Sequence, residues 1–129
     1  MIINFNQPII ILGSPRSGTS LTASIFAAHG VWTGTSRDSD QWNPHGYYEN
    51  ILLHVPRLTA GHGDGLSTEL VYDLITDDGY QGGAWLVKHS PLTWRTWRQF
   101  SPKWVFVWRD KEEILQSRIR CGQWDMTEE

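Results

Sequence analysis

The apolar positions of this chain gather in three short runs. Residues 9–12, Ile-Ile-Ile-Leu, follow Pro8 and stop at Gly13. Their β-branched content predicts a buried strand. Residues 84–87 and 104–108 have the same character and predict two more buried strands. Residues 19–28 carry Leu21, Ala23, Ile25, Phe26, Ala27 and Ala28 with little polar face, which predicts a buried helix halted at Gly30. Leu66, Leu70, Val71, Leu74 and Ile75 recur at helical spacing. Ser67 or Gly65 is available to cap that helix, and Asp77, Asp78 and Gly79 end it. Residues 90–99 predict one or two helical turns. Asp110 with Glu113 three positions on forms a capping-box pattern for a last helix whose apolar side is Ile114, Leu115 and Ile119. Residues 31–47 are rich in turn formers and predict a surface excursion. Residues 48–58 predict a helix that Pro56 kinks or ends, before a glycine-rich connection over 61–65.

Strands separated by helical segments imply an α/β fold, a mainly parallel sheet flanked by helices, with functional loops at the carboxyl ends of the strands. With 129 residues and neither an internal repeat nor a persuasive linker, the chain reads as a single domain. Eleven Lys and Arg against fourteen Asp and Glu give a formal charge of −3. That balance argues against a general nucleic-acid binder, so any anion site must be local. Cys121 is the one cysteine, which points to a reducing compartment. The first apolar run is too short to span a bilayer and residues 1–7 lack the layout of a signal peptide, so a soluble cytoplasmic protein is expected. The eight tryptophans are read chiefly as core, with stacking on a ring-shaped substrate as the alternative.

The densest chemistry lies between the first strand and the first helix, in Gly13-Ser14-Pro15-Arg16-Ser17-Gly18-Thr19-Ser20. Gly13 and Gly18 allow backbone torsions and close approach that a side chain obstructs. The loop amides and the helix start attract an anion, and Arg16 can grip two phosphate oxygens. Ser17, Thr19 and Ser20 add hydroxyl donors. A Walker A loop would have Lys where Thr19 stands, and Asp110 is as well explained by capping as by magnesium, so an ATPase or kinase is disfavoured. At the end of the last strand Arg109, with Ser117 eight residues later, can face a second phosphate across the same sheet edge. The alternative for Arg109 is an ion pair with Glu112 or Glu113.

These two segments resemble the sulfotransferases that use 3′-phosphoadenosine 5′-phosphosulfate (PAPS). Residues 15–20 look like the family's 5′-phosphosulfate loop in the form where Arg replaces Lys. Residues 105–109 with Ser117 look like its 3′-phosphate motif. The segment 43–50, Asn-Pro-His-Gly-Tyr-Tyr-Glu-Asn, is similar to one in bacterial and phage-type members. The resemblance covers chiefly residues 8–34 and 84–120. It implies a P-loop NTPase-like architecture in which Arg16, Ser17, Gly18, Thr19 and Ser20 hold the 5′ side of the nucleotide, and Arg109 and Ser117 its 3′-phosphate. Family members are longer, and their downstream region has no counterpart after Trp124. A minimal domain, a fragment and a degenerate relative are therefore all compatible with this chain.

Sulfuryl transfer needs positive groups at the bridging oxygen and a base at the acceptor. Arg16 and the loop amides supply the first. His89, at the end of the second predicted strand, is the leading base, and Lys88-His89 loosely resembles the Lys/His neighbourhood of cytosolic sulfotransferases. Glu49 is the rival base. Lys88 either touches the sulfonate or leaving oxygen or is a surface lysine. His29, His45, His54, His62 and Cys121 make no familiar metal spacing, and no metal is expected. Trp94 and Trp97 are expected to share one helical face with Arg95 and Arg98 on another, and packing is favoured over substrate stacking. Asp125, Glu128 and Glu129 make an acidic, solvated tail. The expected acceptor is a small hydroxyl or amine compound such as a carbohydrate or phenol, with neither nucleic acid nor membrane as partner. Homo-oligomerisation is open, since a dimer would complete a shortened pocket. A P-loop kinase using ATP-Mg and a noncatalytic nucleotide-binding module are the competing readings.

Overall fold

A computed structural model describes residues 5–13, 17–36, 46, 48–50, 53, 66–89 and 91–120. Ser14, Pro15, Arg16, Trp42, His45, His54, His62, Cys121 and Trp124 fall outside that description. So do residues 37–45 and 47 of the expected 31–47 excursion, most of the expected 48–58 helix, the 61–65 connection and the acidic tail. In chain order the elements are β1 (Ile9–Leu12), α1 (Thr19–Ala28), α2 (Thr68–Asp77), β2 (Leu86–His89), α3 (Trp94–Trp97), β3 (Lys103–Phe106) and α4 (Lys111–Arg120). Short 3-10 turns at Pro91–Thr93 and Arg98–Phe100 flank α3. The fold is α/β, as expected: an open three-stranded parallel sheet, order β2-β1-β3, with four helices. Register places Leu12 beside His89 on one side and Phe106 on the other, so all three strands end along one edge.

The sheet explains the unbroken apolar run of β1. Ile10, Ile11 and Leu12 are all buried because both faces of a central parallel strand are covered. Side chains alternate across the sheet. Ile10, Leu12 and Val87 enter a large core with Val71 and Ile75 of α2 and with Trp85, Trp97, Tyr80 and Phe100. Ile11 and Leu86 turn the other way, onto Ala23 of α1, with Phe26, Val31, Val105 and Val107 around them. After α1 the chain runs beside β2, where Trp32 N–H donates to the Ala84 carbonyl at 3.0 Å and Leu86 N–H to the Trp32 carbonyl at 2.9 Å.

Capping follows the sequence closely. The Ser67 hydroxyl accepts from Leu70 N–H at the start of α2, and the Asp110 carboxylate accepts from Glu112 and Glu113 N–H at the start of α4. Four expectations need correction. Helix α1 is not buried: Leu21 and Ile25 are 60% and 55% exposed, because the helix has the sheet on one side only. Strand β3 is half-exposed, ending at Phe106 and not at Trp108; Trp104 reaches the core, but Phe106 and Trp108 extend past it at 71% and 84% exposure. Helix α4 turns Ile114, Leu115, Ser117 and Arg118 inward, and Ile119 points out. Trp94 and Trp97 separate, Trp97 into the core and Trp94 to the surface, where Arg95 and Arg98 both lie 5.3 Å from its ring centre. Arg98 is four residues after Trp94 and therefore on the same side of the turn.

Candidate functional site

The carboxyl edge of β1 opens into the turn whose described part is Gly13 and Ser17–Gly18. This turn folds back on itself. A Cβ built on Gly13 would lie 2.6 Å from Thr19 Cγ2, 2.7 Å from Ser17 Oγ and 3.1 Å from the Val107 carbonyl, so only glycine fits. Gly18 has φ 103, in the left-handed region, and caps α1. Ser17 and Thr19 are buried. The described part of the turn leads directly into the N-terminus of this ten-residue helix.

Lys88 and His89, neighbours in sequence, diverge at the end of β2. Lys88 pairs in register with Ile11 and turns to the α1 face. It is only 6% exposed, and its Nζ donates to Ser20 Oγ at 2.9 Å and to Glu49 Oε1 at 3.1 Å. The surface-lysine alternative is thereby excluded. His89 pairs with Leu12 and turns to the opposite face, buried with its ring 6.3 Å from that of Trp97. Of the two candidate bases, Glu49 joins the loop cluster and His89 packs across the sheet from it. The strand's two-residue period sends Lys88 and His89 to opposite faces, and Glu49 follows Lys88.

Glu49 is held by groups that sequence reading passed over. Its N–H donates to Ser36 Oγ at 2.9 Å, within an antiparallel bridge between Ser36 and Asn50. Buried Asn50 donates to Asp78 Oδ2 at 3.0 Å, and Asp78 also accepts from Thr35 N–H at 2.7 Å and Thr35 Oγ1 at 2.6 Å. Asp78, expected only to end α2, therefore ties the 35–36 and 49–50 segments together. Gly34 makes room for this clamp, since a Cβ there would fall 1.9 Å from Asn50 Nδ2. Tyr48, just before Glu49, holds φ 58, a left-handed conformation that costs a non-glycine residue about 1–2 kcal/mol. A bare Asp at a helix end gave no signal of this role; the polar cluster of Ser36, Asn50 and Asp78 appears only in three dimensions.

The second basic segment abuts the same turn. Val107 N–H donates to the Leu12 carbonyl at 3.0 Å, and the Val107 carbonyl and side chain flank Gly13 and Gly18. Arg109 follows two residues later, and its Nε donates to Glu113 Oε2 at 3.3 Å, the ion pair admitted from sequence. Glu113 thus serves Arg109 as well as the helix start. Ser117 is buried on α4, and Arg118, which the sequence reading did not single out, is buried beside it. Arg16 lies outside the described residues, so the structure brings together Ser20, Lys88 and Glu49, sets Val107 against the turn, and leaves His89 on the other face.

No protein-family model, curated protein or solved structure matches this chain. The site therefore has to be judged on its own chemistry. That chemistry is a nearly buried ammonium, a glycine-shaped turn, hydroxyls at a helix start, and a carboxylate within reach of the same cation. The ammonium and the hydroxyls are donors of the kind that the oxygens of a phosphate or sulfonate accept from, whereas the carboxylate is an acceptor that competes for the same cation. His29 is occupied elsewhere, with Nδ1 2.7 Å from the Ile25 carbonyl. Among the described residues no three His, Cys, Asp or Glu side chains group as a metal site, and no helix is long and apolar enough to cross a membrane.

Proposed function

We propose that this chain binds PAPS along the carboxyl edge of its sheet, in a P-loop NTPase-like manner, and transfers the sulfonate to a hydroxyl or amine acceptor. The observation that carries the reading is the Lys88 ammonium, drawn out of solvent to the first turn of the helix that follows the Gly13–Ser20 loop. Burying a cation is costly unless anionic oxygens compensate it; the Glu49 carboxylate does so at 3.1 Å, and a sulfonate or phosphate at the loop would serve the same end. Arg16, Ser17, Gly18, Thr19 and Ser20 would hold the 5′ side, Arg109 and Ser117 the 3′-phosphate.

In the transfer, a lone pair of the acceptor oxygen or nitrogen forms a bond to sulfur. The bond from sulfur to the oxygen bridging the 5′-phosphate breaks, and its electron pair stays on that oxygen, giving PAP. Lys88 and Arg16 offset the charge that grows there. The acceptor proton passes to the Glu49 carboxylate, which lies in the same cluster, while His89 braces β2 against Trp97.

Calorimetric titration of the full chain with PAP tests the reading. Binding that is lost in Arg16→Ala and Arg109→Ala supports it. Absence of PAP binding by folded protein, or ATP-Mg binding more tightly than PAP, overturns it in favour of another anion or a kinase. Tight PAP binding without acceptor-dependent PAP release, unaffected by Glu49→Gln or His89→Ala, assigns the chain to a noncatalytic nucleotide-binding module.

A further inference from the structure

Two of the cations assigned to the donor carry a glutamate in this structure: Lys88 has Glu49 and Arg109 has Glu113. The two pairs are unequal. Lys88 is nearly buried and bonds both Ser20 and Glu49, whereas the Arg109 pair is an open contact between residues one helical turn apart. A buried ammonium has to divide its hydrogen bonds among the acceptors that reach it. A ligand oxygen arriving at Ser20 meets a cation already committed to a carboxylate, and that carboxylate repels it as well.

We infer that Glu49 is the built-in competitor for the anion at Lys88: it holds the ammonium in place when the loop is empty, and the incoming ligand displaces it. This rests on the proposed anion site and adds a property to it. Binding and proton acceptance become exclusive states of one carboxylate. Glu49 is tied to Lys88 before the ligand arrives and is released to face the acceptor afterwards. The Ser36, Asn50 and Asp78 clamp keeps its backbone in place through the exchange, so that only the side chain has to move. The same arrangement sets selectivity. A multiply charged anion that spans Lys88 and the loop amides can outbid a fixed carboxylate, whereas a monoanion such as chloride gains too little to do so.

The test is titration of the full chain with PAP and, separately, with inorganic sulfate, comparing wild type with Glu49→Gln, Glu113→Gln, Lys88→Met and the Glu49→Gln/Lys88→Met pair. Removing the competing charge at a partly exposed carboxylate is expected to tighten anion binding roughly two- to fivefold. Glu49→Gln shows that gain when Lys88 is present and none in the Lys88→Met background; Glu113→Gln changes affinity less than twofold. Turnover in Glu49→Gln falls even as the donor binds more tightly, a split that a merely structural role would not produce. Glu49→Gln binding as wild type does, or more weakly, overturns the inference while leaving the anion site standing. Wild type that binds neither PAP nor sulfate overturns both. Should Lys88→Met not fold, Lys88→Arg takes its place, and the gain from Glu49→Gln is expected to persist there because the cation persists.

Discussion

The two faces of the sheet are built to different ends. On the α2 face, aromatic rings fill the space: Trp85 meets Tyr80 and Phe100, Tyr72 stacks on Phe5 at 3.7 Å between centres, and Trp97 lies between His89 and Phe100. On the α1 face the buried core among the described residues is small, Ile11, Ala23 and Leu86, and at its carboxyl end an ammonium, a hydroxyl and a carboxylate converge. Among the described residues the α2 face holds the larger core, and on the α1 face a charged side chain reaches the strand end. The consecutive residues Lys88 and His89 belong one to each.

The largest effect should separate the faces by stability. Trp85→Ala removes a fully buried ring and is expected to cost about 3–5 kcal/mol in urea unfolding, whereas Leu21→Ala on exposed α1 changes stability by about 0.5 kcal/mol or less. Equal losses would erase the distinction. Next, Lys88→Met should weaken PAP binding about 10- to 100-fold, the range for charge-assisted hydrogen bonds, with a smaller change for His89→Ala; the reverse order would move the site to the other face.

Asp78→Ala should cost about 1–3 kcal/mol by leaving Thr35 and buried Asn50 without their acceptor, and should lower turnover more than PAP affinity because it loosens Glu49. Unchanged thermal unfolding would remove the clamp from the account. The smallest effect concerns pH. Burial raises the Tyr80 phenol above its ordinary value of 10.0. The unfolded chain then loses this proton first, so stability is flat below about pH 10 and falls as pH rises through the folded-state value. Tyr80→Phe should flatten that alkaline decline, to be followed by unfolding at stepped pH.

Much of this was legible in the order of residues. The three strands, α1, α2 and α4 lie within a few residues of their expected places because apolar runs, Ser67, Asp110 and the glycines at 13, 18, 30 and 79 act locally. What was missed is non-local. The apolar run 104–108 looked like a buried strand, but β3 is half-exposed and Phe106 and Trp108 point to solvent, whereas β2, also at an edge, is buried throughout. Lys88 stood between a sulfonate contact and a surface lysine because nothing in a lysine's neighbours along the chain reveals that Ser20 and Glu49 will close on it. The choice between His89 and Glu49 was open in the sequence; the alternation of β2 sets His89 on the face opposite Lys88, and Glu49 lies on Lys88.

A crystal structure of the protein with PAP bound is the most direct trial of the central claim. The account predicts the 5′-phosphate within hydrogen-bond distance of Ser20 and Lys88, the Lys88–Glu49 contact broken, and the 3′-phosphate at Arg109 and Ser117. A nucleotide seated on the Trp97 face, or away from the ends of β1 and β3 with Lys88 still on Glu49, would contradict it.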